Sequence, residues 1–393
     1  MVKYDAIIIG AGHNGLVTAA YLAKAGKKVL VLERRPIIGG ITASEEILPG
    51  FKYSTCAHFA GSFSPTIVSD LNLVKHGLEM FPLDPMVLAP SLDGNTLLIP
   101  RDPNIAQEEI NRHSARDGEK FAEFCALSQK LSEFLLTLYS LPLPSRAAPG
   151  EFKLTALLKA GWKFHRLGKK DMHEFLRILP MSMADWLHEW FDSDNLKAAI
   201  AAGAMIGSFV GPRQQGTAYN FLHRRIGAAK GEFRAANFVR GGINRIPHAI
   251  SLAAQQHGAE IRTDAEVTTV RTSNGAATGV VLASGIEFTA DLIVSSTDAK
   301  KTFLKLVEPT YVDPHFLLHV KNIRARGTVA KVNLALDKLP EFKSVSGFMT
   351  AAHLSGIIHI GPSLEYLERA ADDAKYGRFS RQPFLEITIP SIA

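Results

Sequence analysis

Apolar and polar positions near the start of the chain fall into three successive patterns. Ala6-Ile7-Ile8-Ile9 is a continuous apolar run, too short for a helix and closed by Gly10, which predicts a strand buried on both faces. Leu16 to Ala25 carries small residues at Ala19, Ala20 and Ala23, the mark of a helix that lies close to its neighbours, and Gly26 ends it. Lys28 to Leu32 predicts a second apolar strand, closed by Glu33. The stretch from Tyr4 to Glu33 thus reads as strand, glycine turn, helix, strand.

Further along, the pattern loosens and then changes period. Phe51 to Phe63, with Tyr53, Cys56, His58 and Gly61, suits a loop lining a cavity, although Cys56 and Phe59 read equally well as core. Between Asn72 and Pro100, short apolar stretches broken by Pro82, Pro85, Pro90 and Asp93-Gly94 predict small strands and a hairpin. From Ile105 to about Leu141 the spacing of Phe121, Phe124, Cys125, Leu127, Leu131, Phe134 and Leu135 is helical, and Leu141 to Gly150 reads as a linker or long loop. Phe152 to Arg177 interleaves Leu154, Leu157, Leu158, Trp162, Phe164 and Leu167 with lysines and arginines. Such a stretch either covers a domain as an ordinary amphipathic helix or rests on a membrane surface, and Gly161 and Gly168 weaken a single unbroken helix. Ala184 to Ile206 and Thr217 to Ile226 are helical again.

A second run of α/β elements begins at Phe238-Val239-Arg240-Gly241-Gly242. A helix over Asn244 to Gln256, ended by Gly258, is followed by strands at Ala259 to Arg262, Glu266 to Arg271, Gly279 to Ala283, Ile286 to Phe288 and Leu292 to Ser296, with Asn274-Gly275 as a turn. Thr328 to Leu336 and Leu354 to Ile360 predict further strands, and Glu386 to Ala393 has the look of another. The expected fold class is α/β: a Rossmann-like domain with a parallel sheet, discontinuous in sequence, plus an inserted α+β domain. The expected division is 1–72 and 238–305 for the first, 73–237 for a largely helical substrate or lid domain, and 306–393 for further strands and helices of that domain.

Composition narrows the class. At 393 residues the chain has room for two or three domains, and 46% hydrophobic content describes a globular protein. The 44 basic and 38 acidic residues leave +6, spread without the concentrated basic face of a nucleic-acid binder, so no nucleic-acid partner is expected. With Cys56 and Cys125 far apart, no disulfide framework, redox pair or zinc motif is expected, nor any metal site. The first strand begins within a few residues of Met1 and no apolar run nears the ~18 residues of a membrane span, so the expectation is a cytoplasmic protein, soluble or peripheral to a membrane.

Candidate chemistry sits in the first turn. Gly10-Ala11-Gly12-His13-Asn14-Gly15 is a GxGxxG sequence between strand and helix. Gly10 allows the tight turn, Gly12 lets backbone approach a pyrophosphate, Gly15 lets the helix lie against the sheet, and the phosphates meet N–H groups at the helix N-terminus. Glu33 lies about 20 residues past the glycines, where an acid binds ribose hydroxyls, and its charge would repel a 2′-phosphate, which favours FAD or NAD over NADP. The segment Arg34-Arg35-Pro36-Ile37-Ile38-Gly39-Gly40 reads as a second loop over the same dinucleotide or as a plain surface turn.

Three features coincide: GAGHNG with Glu33, the Gly39-Gly40 loop, and RGGINRIPHAI followed by HGAEIRTDAEVTTV over 240–270. Together they resemble the phytoene desaturase-like branch of the FAD-dependent amine-oxidase fold, most closely a group named for a pyridine nucleotide-disulfide oxidoreductase domain. The resemblance covers nearly the whole chain. It implies FAD as cofactor, with Gly10, Gly12, His13, Asn14 and Gly15 at the pyrophosphate, Glu33 at the adenosine ribose, Arg34, Arg35, Gly39 and Gly40 in the second loop, and the Val267 backbone at the adenine. Against the group's name, the sequence has no second GxGxxG and no redox cysteine pair, so electron transfer between NAD(P)H and a disulfide is not expected. The resemblance also implies a final glycine-rich flavin motif that 361–393 does not carry, so the chain is expected to lack the family's C-terminal portion.

Two functional readings follow. In the first, FAD takes a hydride from an apolar, polyene or isoprenoid substrate, with oxygen or a quinone as reoxidant and a redox-neutral polyene isomerase as a variant. His58, Tyr219 and His223 are its candidate cavity residues; no catalytic acid or base stands out. In the second, the chain is a non-catalytic FAD-binding or interaction module, and self-association is a further expectation.

Overall fold

The computed structural model describes residues 3–61, 63–91, 94, 96–141, 154–342 and 350–392. It divides into two compact units, one built from Met1–Phe81 and Phe238–Ala325, the other from Pro82–Asn237 and Arg326–Ala393. The chain opens with β1 (Lys3–Ile9), α1 (His13–Lys24) and β2 (Val29–Leu32), adds the hairpin β3 (Ser44–Leu48) and β4 (Phe51–Ser54), and runs through α2 (Pro65–Asp70) to β5 (Met80–Pro82). The strands β6 (Val87–Ala89) and β7 (Leu97–Ile99) then precede the helices α3 (Pro103–Asn111), α4 (Ala115–Tyr139), α5 (Leu154–Arg166), α6 (Lys169–Ile178), α7 (Met183–Trp190), α8 (Asp194–Met205) and α9 (Thr217–Arg225). The return comprises β8 (Asn237–Val239), α10 (Arg245–Gln256), β9 (Glu260–Arg262), β10 (Val267–Ser273), β11 (Ala276–Leu282), β12 (Glu287–Ser295), the short α11 (Ala299–Lys301) and α12 (Pro314–Asn322). Last come β13 (Ile357–Ile360), α13 (Leu364–Lys375) and β14 (Leu385–Ile387).

The first unit is a six-stranded sheet in the order β10-β11-β12-β1-β2-β9. The strands β12, β1, β2 and the edge strand β9 are parallel, as expected. Alternate residues serve opposite faces: Ile8, Val29 and Val31 pack with the alanines of α1 and α10, while Ile7, Ile9, Leu30 and Leu32 pack with Val267, Val280 and Phe288. Burial on both faces is why these strands read as unbroken apolar runs. Small residues Ala19, Ala20 and Ala23 on α1 and Ala249, Ala253 and Ala254 on α10 let the two helices lie together.

The sheet is largely parallel, and the expected turn at Asn274-Gly275, with φ of +50° and +77° and a two-residue hairpin geometry, joins β10 and β11 antiparallel, so these two strands do not share the parallel direction. Ile286–Phe288 and Leu292–Ser296 are not separate strands. They lie along a single β12, since Thr289 and Ala290 continue the pairing opposite Lys3 and Tyr4.

The second unit has a four-stranded sheet, β14-β13-β6-β7, and a helical core around Phe121, Phe124, Trp186, Phe191 and Phe221. The helical stretch after Ile105 is two helices, because Ser114 adopts extended backbone and caps α4 by accepting from the Asp117 N–H. Likewise the basic stretch breaks at Gly168, whose φ is +84°, whereas Gly161 lies inside α5. Thr328–Leu336 is not a strand. Val329, Val332 and Leu334 are exposed, and the segment pairs with no strand among the described residues. Cys125 is buried but Cys56 is exposed, against the core reading of Cys56. Residues 142–150 of the expected linker, Asp93 of the expected turn, Phe152 and Lys153 of the basic stretch, and Ala393 lie outside the described residues.

Candidate functional site

The turn from β1 into α1 is shaped by three glycines for three reasons. Gly10 has φ of +99° and donates its N–H to the Leu32 carbonyl at 2.8 Å, turning the chain sharply off the sheet. A Cβ on Gly15 would collide with the Gly10 carbonyl oxygen and stand 2.8 Å from Ser296 Oγ. Gly12 differs: its φ is −69° and a Cβ there would meet nothing within 4 Å. The protein's own packing therefore does not require glycine at 12, and the space before it is open. No side chain caps α1 and its first turn holds no acidic residue, which leaves that end of the helix suited to an outside anion. His13, in that first turn, is half-buried, and burial pushes its pKa below the ordinary value, favouring the neutral ring. Asn14 is exposed.

Glu33 is tied into the same turn. Its buried carboxylate accepts the Ala11 N–H at 2.9 Å on one oxygen and the Arg35 N–H at 3.0 Å on the other. A carboxylate has about four acceptor sites, so each oxygen retains capacity for a ligand hydroxyl. The second loop is no plain surface turn. Gly39 donates to the Ala11 carbonyl at 2.8 Å, Gly39 and Gly40 have φ of +117° and +56°, and a Cβ on Gly40 would lie 3.2 Å from Gly12 Cα. Arg35 pairs with Glu45 at 2.6 Å, while Arg34 is exposed.

The late return of the chain closes on these residues. Glu33 donates to the Arg262 carbonyl at 2.8 Å, Ala265 donates to the Glu33 carbonyl at 2.8 Å, and Asp264 donates to the Arg35 carbonyl at 3.2 Å. Val267, buried at the start of β10 opposite Leu282, follows two residues after Ala265. The structure thus gathers Gly10 to Gly15, Glu33, Arg35, Gly39, Gly40 and the chain leading to Val267.

Sequence reasoning missed Ser296. Its N–H donates to Ile9 at 2.9 Å and its Oγ to the Gly10 carbonyl at 3.1 Å, while the hydroxyls of Ser295, Thr297 and Thr302 bond to one another within 3.0 Å. The available signal was Ser295-Ser296-Thr297-Asp298 at the carboxyl end of a strand, the end at which open α/β sheets bind ligands.

Of the three cavity candidates, two lie together in the second unit and one belongs to the first. Tyr219 and His223, on α9, meet Tyr139 of α4, whose hydroxyl lies 2.6 Å from Tyr219 Oη and 2.9 Å from His223 Nδ1. Partial burial and then the nearby Arg224 lower the His223 pKa. His58 belongs to the first unit, with its ring 4.1 Å from that of Phe59. The second unit also holds a polar set that the sequence did not signal. Arg234 donates to both Glu386 oxygens at 2.7 and 3.0 Å, and His359 lies opposite Glu386 in the β13–β14 register. His359 bonds the Gly361 carbonyl through Nε2 at 3.1 Å, and its buried Nδ1 has no hydrogen-bond partner. Among the described residues, no group of His, Cys, Asp and Glu could hold a metal ion.

Residues 8–71 match the NAD(P)-binding Rossmann-like domain. Pyridine nucleotide-disulfide oxidoreductase domain-containing protein 2 of Rattus norvegicus is 34% identical over 419 residues, which take in 99% of this chain and 70% of the relative. This chain belongs to that family. A limonene dehydrogenase component of Castellaniella defragrans is also similar, 29% identical over 86% of this chain and 61% of its own. Among solved structures, an oxidoreductase from Methanosarcina mazei matches with a TM-score of 0.51 at 17% identity, covering 82% of this chain and 66% of that one, a likeness of fold. The α/β class with a Rossmann-like unit, and the family read from GAGHNG, Glu33 and the Gly39-Gly40 loop, stand on these matches.

Proposed function

We propose that the chain is an FAD-dependent oxidoreductase that oxidises a C–H bond of an apolar substrate of the isoprenoid or polyene class. The observation that carries this reading is the docking of the Gly39-Gly40 loop, backbone to backbone, on the Gly12 turn beside an uncapped α1. The residues fit a dinucleotide. Side chains are excluded at Gly10, Gly15 and Gly40 by the backbone itself, and Gly12 alone faces open space. The N-terminus of α1, from Gly12 through His13 and Asn14 to Gly15, holds the pyrophosphate; Glu33 accepts from the adenosine ribose; Gly39, Gly40 and Arg35 line the second loop; and the Val267 backbone meets the adenine. The carboxylate of Glu33 disfavours a 2′-phosphate, and with one GxGxxG in the sequence there is no second turn for a nicotinamide cofactor.

FAD, when bound, would supply the hydride acceptor for such an oxidation. The chain's part is to orient the cofactor and exclude water. Its relationship to a limonene dehydrogenase component supports an apolar substrate. The test is direct. The purified chain, incubated with excess FAD and gel-filtered, is expected to carry flavin absorbance, and a colourless protein peak refutes the cofactor. Anaerobic addition of terpenes or polyenes in detergent is then expected to bleach the flavin. If flavin is retained and no such compound bleaches it, the chain is a binding module and the substrate class is wrong.

A further inference from the structure

Helix α5 has two apolar faces, and among the described residues only one of them is used by the fold. Inward, Ala160 is buried and Phe164 lies 5.1 Å from Phe134, ring to ring. Outward, Leu158 and Trp162, one turn apart, are 64% and 57% exposed, and Leu157, 43% exposed, stands at the edge between the two faces. A helix that merely covers a domain turns polar residues to water at such positions. Here the polar residues flank the apolar ridge, and all the charged ones are basic: Lys159, Lys163 and Arg166 on α5, then Lys169 and Lys170 at the start of α6. No carboxylate occurs from Leu154 to Lys170.

The pairing of cations in this region separates two populations. Lys130 and Arg177, beside the same helices, are bound to carboxylates of Asp171, Glu174 and Glu189. Lys159, Arg166, Lys169 and Lys170 make no salt bridge among the described residues. Arg166 instead lies over the Trp162 ring at 4.7 Å. Lys169 and Lys170 also stand in the first turn of α6, where the helix dipole disfavours positive charge. Asp171 in the same turn, already bound to Lys130, and Glu123 near Lys170 offset only part of this.

We infer that the outer face of α5 and the first turn of α6 dock on an anionic lipid surface. Leu157, Leu158 and Trp162 enter the boundary between head groups and acyl chains, and the flanking cations meet the head groups. A second copy of the chain is a poor occupant, since it would set five cations against five. Among the described residues no helix is long and apolar enough to cross a membrane, so contact through α5 is made at the surface.

Co-sedimentation of the full chain with vesicles tests this independently of the flavin reading. Binding is expected with phosphatidylserine-containing vesicles, is expected to weaken as salt rises, and is expected to be absent with phosphatidylcholine alone. Trp186 is buried and Trp190 is half-buried against the Phe124 ring, so a vesicle-induced blue shift of tryptophan fluorescence is expected to vanish in Trp162→Phe. Replacing Lys159 and Lys170 by Gln is expected to weaken binding ~30-fold, and Leu158→Ser with Trp162→Ser to abolish it, the circular dichroism spectrum being unchanged. Salt-independent binding, equal binding to neutral vesicles, an unshifted Trp162, or a dimer that the serine variant dissociates would overturn the proposal.

Discussion

Alanine at two glycines of the same turn should have opposite consequences. A Cβ at Gly15 falls below the 3.0 Å that Cβ atoms keep, against both the Gly10 carbonyl oxygen and Ser296 Oγ. The carbonyl belongs to the turn and cannot rotate away. Forced overpacking costs about 1–3 kcal/mol, a collision with fixed backbone falling in the upper part, about 2–3 kcal/mol, and the gain from replacing glycine by alanine in a helix returns about 1 kcal/mol of it. Gly15→Ala should therefore destabilise the first unit by about 1–2 kcal/mol, lowering its Tm by roughly 2–8 °C. At Gly12, φ is −69° and nothing lies within 4 Å, so Gly12→Ala should fold with Tm unchanged within about 1 °C. Its methyl group, however, projects into the space assigned to the pyrophosphate.

Thermal scans paired with FAD titration separate the two effects. Gly12→Ala should lose flavin affinity at least tenfold while keeping wild-type stability. Gly15→Ala should lose stability first. Wild-type flavin affinity in Gly12→Ala would refute the assignment of the open space to phosphate. An unchanged Tm in Gly15→Ala would refute the close approach of helix and turn.

Three further outcomes follow from buried groups. Glu33→Gln can accept only one of the two N–H groups from Ala11 and Arg35, and should cost about 1–3 kcal/mol together with flavin affinity; equal thermal stability would show that these bonds are not made. Arg234→Met removes both hydrogen bonds of a guanidinium from a Glu386 carboxylate whose side chain is 4% exposed, and should cost about 3 kcal/mol by denaturant titration, much of it restored in Arg234→Met with Glu386→Leu; a single variant as mild as a surface one would refute the buried pair. Burial lowers the His359 pKa in the folded chain from 6.5. Above that value both states hold a neutral ring, and below it the unfolded chain alone takes up the proton, so this contribution is lost as pH falls through 6.5 toward the folded pKa. Tm measured from about pH 8 to 5 should fall less in His359→Gln than in wild type, and parallel curves would sink the argument.

How much of this was legible in the sequence depended on whether a pattern carried its own partner. β1, α1 and β2 were readable because the apolar runs, the small residues and the closing glycine all lie within thirty positions and pack on one another. The hairpin of β10 and β11 was readable from Asn274-Gly275 for the same reason. Thr328–Leu336 has a strand's alternation, but a strand is completed by its neighbour, and the segment's own residues say nothing of that neighbour. The single β12 was hidden by Asp291, an exposed acid in the middle of a strand whose pairing to β1 only the fold reveals.

For the candidate site the divide runs between residue type and orientation. The glycines and Glu33 could be named from spacing, yet spacing could not show that Glu33 turns back to hold Ala11 and Arg35, nor that Gly40 rests on Gly12. Those contacts change the meaning of the acid. It is a brace for both loops as well as the ribose acceptor proposed above, so its removal should disturb the glycine turn even before a ligand arrives. Ser296 was missed because its role is wholly tertiary: a hydroxyl 281 positions after Gly15 occupies the space that a Cβ at Gly15 would need, and bonds the carbonyl of Gly10. The first glycine turn is thus held from three sides, by Glu33, by Gly39 and by Ser296, and only Gly12 is left facing outward. A turn braced so fully at every glycine but one is built to present that one backbone position to something outside the chain.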